Sequence, residues 1–122
     1  ADVISLAVLL TEETRGIVTR ALLEKLRPTS VLINIARAAL CDQEALLELL
    51  CQRRFRAALD VFTTEPVPSD DPILKVPSDQ VVLVPHLGYK SFEALQRRFA
   101  VTAENLRCYA DGNPQNVLLG AE

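Results

Sequence analysis

Four side chains in this 122-residue sequence could do acid–base chemistry on a bound anion: Arg37, Asp60, Glu65 and His86, the sole histidine. An imidazole titrates near neutral pH, so it can give a proton to a reacting oxygen or take one away. A carboxylate beside it would orient the ring and favour its protonated form, while an arginine can hold a carboxylate substrate through a two-pronged hydrogen bond. Taken singly, each has a bland explanation: Arg37 solvates a loop, Asp60 caps a turn, Glu65 adds charge to an acidic loop, and His86 sits on the surface. Their positions argue for more. Arg37 comes just after the apolar run VLINIA, Asp60 ends AALD with Glu65 in the loop beyond, and His86 follows VVLVP. Ligands of open parallel sheets bind beyond the carboxyl ends of the strands, so the four residues are expected on one rim.

The elements that must carry them alternate between strand and helix. Asp2 to Leu9, Val31 to Ala36, Phe55 to Val61 and Val81 to Val84 read as strands, the first three mostly apolar and without clean alternation, as expected of strands covered on both faces. Thr19 can cap a short helix with Leu22, Leu23 and Leu26 on one face, stopped by Pro28. Asp42 can cap a second helix, whose apolar stripe is Ala45, Leu46, Leu49 and Leu50. Thr63 to Asp79, with four prolines and four acidic residues, reads as a loop. Ser91 can cap a long helix with Phe92, Leu95, Phe99, Ala103, Leu106 and Ala110 on one side, ending at Asp111-Gly112. Strand–helix alternation of this kind implies a parallel sheet with helices packed on it. Four strands make a small open sheet, and the chain opens inside a strand, so we expect half of a doubly wound domain whose edges something else must cover.

Composition sets limits on partners. Apolar residues make up 49% and charged residues 24% of the chain, which fits one ordinary globular domain. The net charge of −3 and the scattered 13 Lys and Arg argue against nucleic acid, which requires a clustered basic surface. The longest apolar stretch, Leu6 to Leu10, is far too short to span a membrane, and Asp2 falls where a signal peptide would carry basic residues. Cys41, Cys51 and Cys108 are expected to be reduced thiols packed as small apolar groups, in keeping with a cytoplasmic protein. Three distant cysteines and one histidine are poor material for a metal site, and none is expected.

Three segments in order carry a resemblance to a known family: N-x-x-R at 34–37, D-V-F-x-x-E-P at 60–66 and P-H-x-G at 85–88. Together with ADVISL at the start and GNPQNVLL near the end, they make the chain similar to the NAD-binding domain of D-isomer-specific 2-hydroxyacid dehydrogenases of the glyoxylate/hydroxypyruvate reductase kind. The resemblance implies an α/β fold, the second half of a Rossmann-like doubly wound parallel sheet with flanking helices. It implies hydride transfer between NAD or NADP and C2 of a small 2-oxo or 2-hydroxy acid. Arg37 would bind the substrate carboxylate and polarise the carbonyl, His86 would be the acid/base, and Glu65 would keep His86 oriented and protonatable. Asp60 would accept a hydrogen bond from the nicotinamide carboxamide, and Val8, Ile35, Ala36, Arg37, His86 and Gly88 would line the cofactor. A homodimer is implied for the full-length form.

The sequence also departs from the family pattern. Ala38 stands where glycine usually follows the catalytic arginine, and an unusual backbone angle there would make its methyl costly. SLAVLLT replaces the typical SLHLPLT, so Ala7 and Leu9 are expected to weaken cofactor binding. The four glycines (16, 88, 112 and 120) form no G-x-G-x-x-G, the loop that cradles pyrophosphate at a helix N-terminus. We therefore expect a partial domain of residues 1–122, lacking the glycine-rich half and the substrate domain and inactive alone. Two other readings are a non-catalytic, dinucleotide-responsive interaction module of corepressor type and a generic α/β domain. A G-x-G-x-x-G encoded just upstream of Ala1 would separate an enzyme segment from a free-standing module.

Overall fold

The computed structural model describes residues 1–118; Leu119, the last residue of GNPQNVLL, lies outside them. Four strands, β1 (Val3–Leu6), β2 (Val31–Asn34), β3 (Arg56–Leu59) and β4 (Val81–Leu83), form one parallel sheet in the order β1-β2-β3-β4. Helix α1 (Arg20–Leu23) joins β1 to β2, and α2 (Gln43–Cys51) joins β2 to β3. The β3–β4 crossover contains only a 3₁₀ turn at Pro72–Lys75, within the stretch read as loop, and helix α3 (Phe92–Ala110) follows β4. This is a Rossmann-like parallel sheet with flanking helices.

Register decides where the chemistry goes. Leu6 pairs with Asn34, Asn34 with Leu59, and Leu59 with Leu83, so all four strands end in one row across the sheet. Neighbouring strands lie about 4.8 Å apart, which puts the ends of β2 and β4 about 10 Å from each other. Side chains emerging just beyond that row can meet over a single small molecule.

The core forms where α2 covers the sheet. Asp42 caps α2 by accepting from Ala45 N at 3.0 Å. The stripe of Ala45, Leu46, Leu49 and Leu50 is buried in one cluster with Leu23, Leu32, Phe55, Ala57 and Leu59. Of the three thiols, all free, Cys41 and Cys108 are buried but Cys51, at the end of α2, is exposed. Desolvation by burial pushes the Cys41 thiol up to about 11, so it stays protonated at neutral pH.

Several expectations are corrected. The chain divides into two compact units, Ala1–Leu87 and the segment from Gly88 on. Strand β1 is not covered on both faces: it pairs only with β2, and Val3 is 59% exposed. Helix α1 stops at Leu23, well before Pro28, leaves Leu22 exposed, and begins without a side-chain bond from Thr19. In the second unit, Ser91 caps α3 through Ala94 N at 3.1 Å, and Gly112, at φ +71°, follows its end as expected. The apolar side of α3 is open, with Phe92, Phe99 and Leu106 all exposed.

Candidate active site

The carboxyl rim is built by polar groups that end the strands. Strand β2 stops at Asn34, two residues before the expected end at Ala36. There the buried Asn34 side chain accepts from Ala36 N at 3.1 Å and donates to the Arg37 carbonyl at 2.9 Å. The chain then turns, leaving Arg37 exposed and its guanidinium donating to the Ala36 carbonyl at 2.7 Å. Ala38 begins a 3₁₀ turn (Ala38–Leu40), and its backbone is outside the left-handed region, so the absent glycine is not needed here.

Strand β4 ends in a strained turn. His86 has φ +52°, which a non-glycine residue adopts only at a cost, of order 1 kcal/mol or more, when its surroundings enforce it. Three bonds do so. His86 N donates to Val84 O at 2.9 Å, Leu87 N donates to Asp60 Oδ1 at 2.7 Å, and His86 Nδ1 lies 2.6 Å from Glu65 Oε2. Asp60 is 4% exposed and thus ties the end of β3 to the turn carrying the imidazole. The sequence assigned Asp60 to the cofactor carboxamide; the structure gives one of its oxygens to positioning His86.

Glu65 bridges backbone and ring: Oε1 accepts from Phe62 N at 2.9 Å while Oε2 faces His86. The bond to the His86 ring, then that to Phe62 N–H, holds the Glu65 carboxyl below the usual carboxylate range, and the charge of Arg37 pulls the same way. The carboxylate therefore stays ionised as pH falls through its ordinary range, and the pairing is lost only below it. Glu65 and His86 also line an open cleft of about 580 Å³ with Phe62, Pro66, Val67 and Pro85.

The structure thus brings Glu65 and His86 into contact, sets Arg37 where its charge acts on Glu65, and places Asp60 behind the histidine turn. Val8 and Ile35 are exposed just past β1 and β2, Ala36 is half-buried beside Arg37, and Gly88 opens the second unit. Sequence reasoning missed the structural part of Asn34, although a polar residue ending an apolar strand is a visible signal. It also missed the Phe62 amide, for which a backbone group leaves no signal at all.

An open parallel α/β sheet whose carboxyl rim presents a carboxylate–imidazole pair and a cation has the layout of a ligand site in the doubly wound α/β class. Residues 1–88 match the family described as D-isomer specific 2-hydroxyacid dehydrogenase, NAD binding domain, and the chain belongs to that family. A glyoxylate reductase of Korarchaeum cryptofilum is 39% identical over 120 residues, covering 97% of this chain and 36% of that protein. A D-3-phosphoglycerate dehydrogenase of Mycobacterium leprae is 40% identical over 108 residues, 88% of this chain and 20% of that protein. Among solved structures, a phosphoglycerate oxidoreductase from Vibrio cholerae superposes with a TM-score of 0.85 at 36% identity, covering 92% of this chain and 36% of that one. An acyclic imino acid reductase in complex with NADPH and D-Arg gives a TM-score of 0.79 at 36% identity, covering 98% and 38%. The chain spans about a third of the length of the glyoxylate reductases it matches, 36% in each of two archaeal cases.

Proposed function

We propose that this chain supplies the catalytic rim of an NAD(P)-dependent D-2-hydroxyacid dehydrogenase acting on a small 2-oxo or 2-hydroxy acid. The observation that carries the reading is the 2.6 Å contact between Glu65 Oε2 and His86 Nδ1 on a strained turn at the carboxyl rim. A nicotinamide cofactor, when bound, would supply or accept the hydride at C2 of the acid. Residues of this chain do the rest. With Nδ1 committed to Glu65, His86 Nε2 gives a proton to the carbonyl oxygen in reduction and takes the hydroxyl proton in oxidation. Arg37 binds the substrate carboxylate and stabilises charge growing on the neighbouring oxygen. The exposed apolar side chains of Val8 and Ile35 offer a surface that suits a flat ring, so the nicotinamide end of the cofactor fits these residues. The pyrophosphate end requires a glycine-rich loop that is not among the 122 residues. In the same reading the full-length enzyme is a cytoplasmic homodimer.

The pH profile tests the pair. In a full-length dehydrogenase containing this chain, Glu65→Gln removes the negative charge facing His86. The ring nitrogen then faces a neutral amide instead of a carboxylate, so the pH dependence of kcat/KM should differ between parent and variant. At its optimum kcat falls far less than on removing His86 itself. Profiles of kcat/KM that superpose for parent and variant would show that Glu65 does not act through His86.

A further inference from the structure

Two side-chain amides, that of the buried Asn34 and that of the half-buried Gln43, grip the loop that carries Arg37. Asn34 is 1% exposed, and the partners of its side chain all lie just after it in sequence: Ala36 N at 3.1 Å, the Arg37 carbonyl at 2.9 Å and Cys41 Sγ at 3.9 Å. Gln43, the first residue of α2, reaches back from the other side, its Nε2 donating to the carbonyls of Ala38 at 2.6 Å and Cys41 at 3.2 Å. The backbone is thus held just before Arg37, at Ala36 N, and just after its Cα, at its own carbonyl and that of Ala38, while the guanidinium stays exposed. A buried amide lowers stability unless paired, and the β2 ladder does not need this side chain, so the geometry it enforces is its evident use. Among the described residues, the buried polar side chains are Ser30, Asn34, Asp60 and Gln80. Ser30 and Gln80 precede β2 and β4, whereas Asn34 and Asp60 sit at the carboxyl rim, one behind Arg37 and one behind His86.

The geometry points to Asn34, seconded by Gln43, as the positioning residue for Arg37. It sets the direction from which the guanidinium meets the substrate carboxylate without touching either cofactor or acid. This rests on the reading of Arg37 given above.

The test is a double-mutant cycle in the full-length enzyme with glyoxylate and NADH. Asn34→Asp keeps the acceptor for Ala36 N but replaces the donor to the Arg37 carbonyl with a repelling oxygen. We expect KM for glyoxylate to rise about tenfold with KM for NADH within about twofold, the pattern of a misaimed substrate ligand. Added to Arg37→Lys, the same change should cost less than about a further twofold in kcat/KM, because residues that act as a unit are not additive. If Asn34→Asp does not fold, Gln43→Met removes one donor from the helix side and should raise KM for glyoxylate about threefold to fivefold, the scale of one neutral hydrogen bond. Additive losses, or equal rises in both KM values, overturn the positioning role and leave the proposed function standing. An Arg37→Lys enzyme with unchanged kinetics would remove both.

Discussion

His86→Gln, in a full-length dehydrogenase containing this chain, is expected to lower kcat about a hundredfold or more, the usual scale for losing an acid/base group. Glutamine occupies similar space and can still donate a hydrogen bond, but it cannot deliver a proton to the carbonyl oxygen or take one back. The turn itself should survive, since Asp60 Oδ1 continues to accept from Leu87 N and the residue-86 amide continues to donate to Val84 O. The loss therefore belongs in kcat, with NADH affinity close to the parent value. Steady-state rates with glyoxylate, alongside a fluorescence titration of NADH, measure both. A variant that keeps a tenth of parental kcat or more would remove His86 from the acid/base role.

These 122 residues by themselves are expected to reduce no 2-oxo acid at a measurable enzymatic rate. Three physical arguments converge. No glycine-rich loop is present to meet the cofactor's pyrophosphate with backbone N–H groups, so that charge has no matched partner. The site is open: Arg37 is exposed, and the Glu65 and His86 side chains are 36% and 35% exposed, so water screens the interactions that would stabilise developing charge. Among the described residues of the first unit, the cleft that Glu65 and His86 line is open and does not fix the approach of a small acid, and positioning supplies much of the barrier reduction in such reactions. NADH absorbance with glyoxylate, hydroxypyruvate and pyruvate provides the assay. Saturable turnover, or NADH binding in the low micromolar range by this chain alone, would show that the rim needs less support than argued.

How far the sequence could be read follows from what each residue does. VLINIA, FRAALDV and VVLV announced strands, and the rule that ligands sit beyond their carboxyl ends placed Arg37, Asp60 and His86 on one rim. The Glu65–His86 contact was foreseen in kind, because the resemblance assigned both residues roles. Strand ends were less legible. Asn34 halts β2 through its side chain, which an apolar pattern does not reveal. The left-handed backbone of His86 depends on Asp60, 26 positions earlier in the chain, capturing Leu87 N, and no local propensity encodes that. The apolar stripe on α3 was legible as a stripe, and Phe92, Phe99 and Leu106 along it are exposed, since periodicity identifies a face but not what lies against it.

The pairing of His86 with Glu65 can be measured on this chain directly, because its sole histidine makes the ring signals unambiguous. Nitrogen-15 NMR of the imidazole reports which ring nitrogen carries the proton and to what it is bonded. The account predicts a proton on Nδ1, shifted downfield by its bond to the Glu65 carboxylate, that loses this shift in Glu65→Ala. An Nδ1 without a proton near neutral pH, or ring spectra indistinguishable between the two proteins, would contradict the carboxylate–imidazole pair on which the proposed catalysis rests.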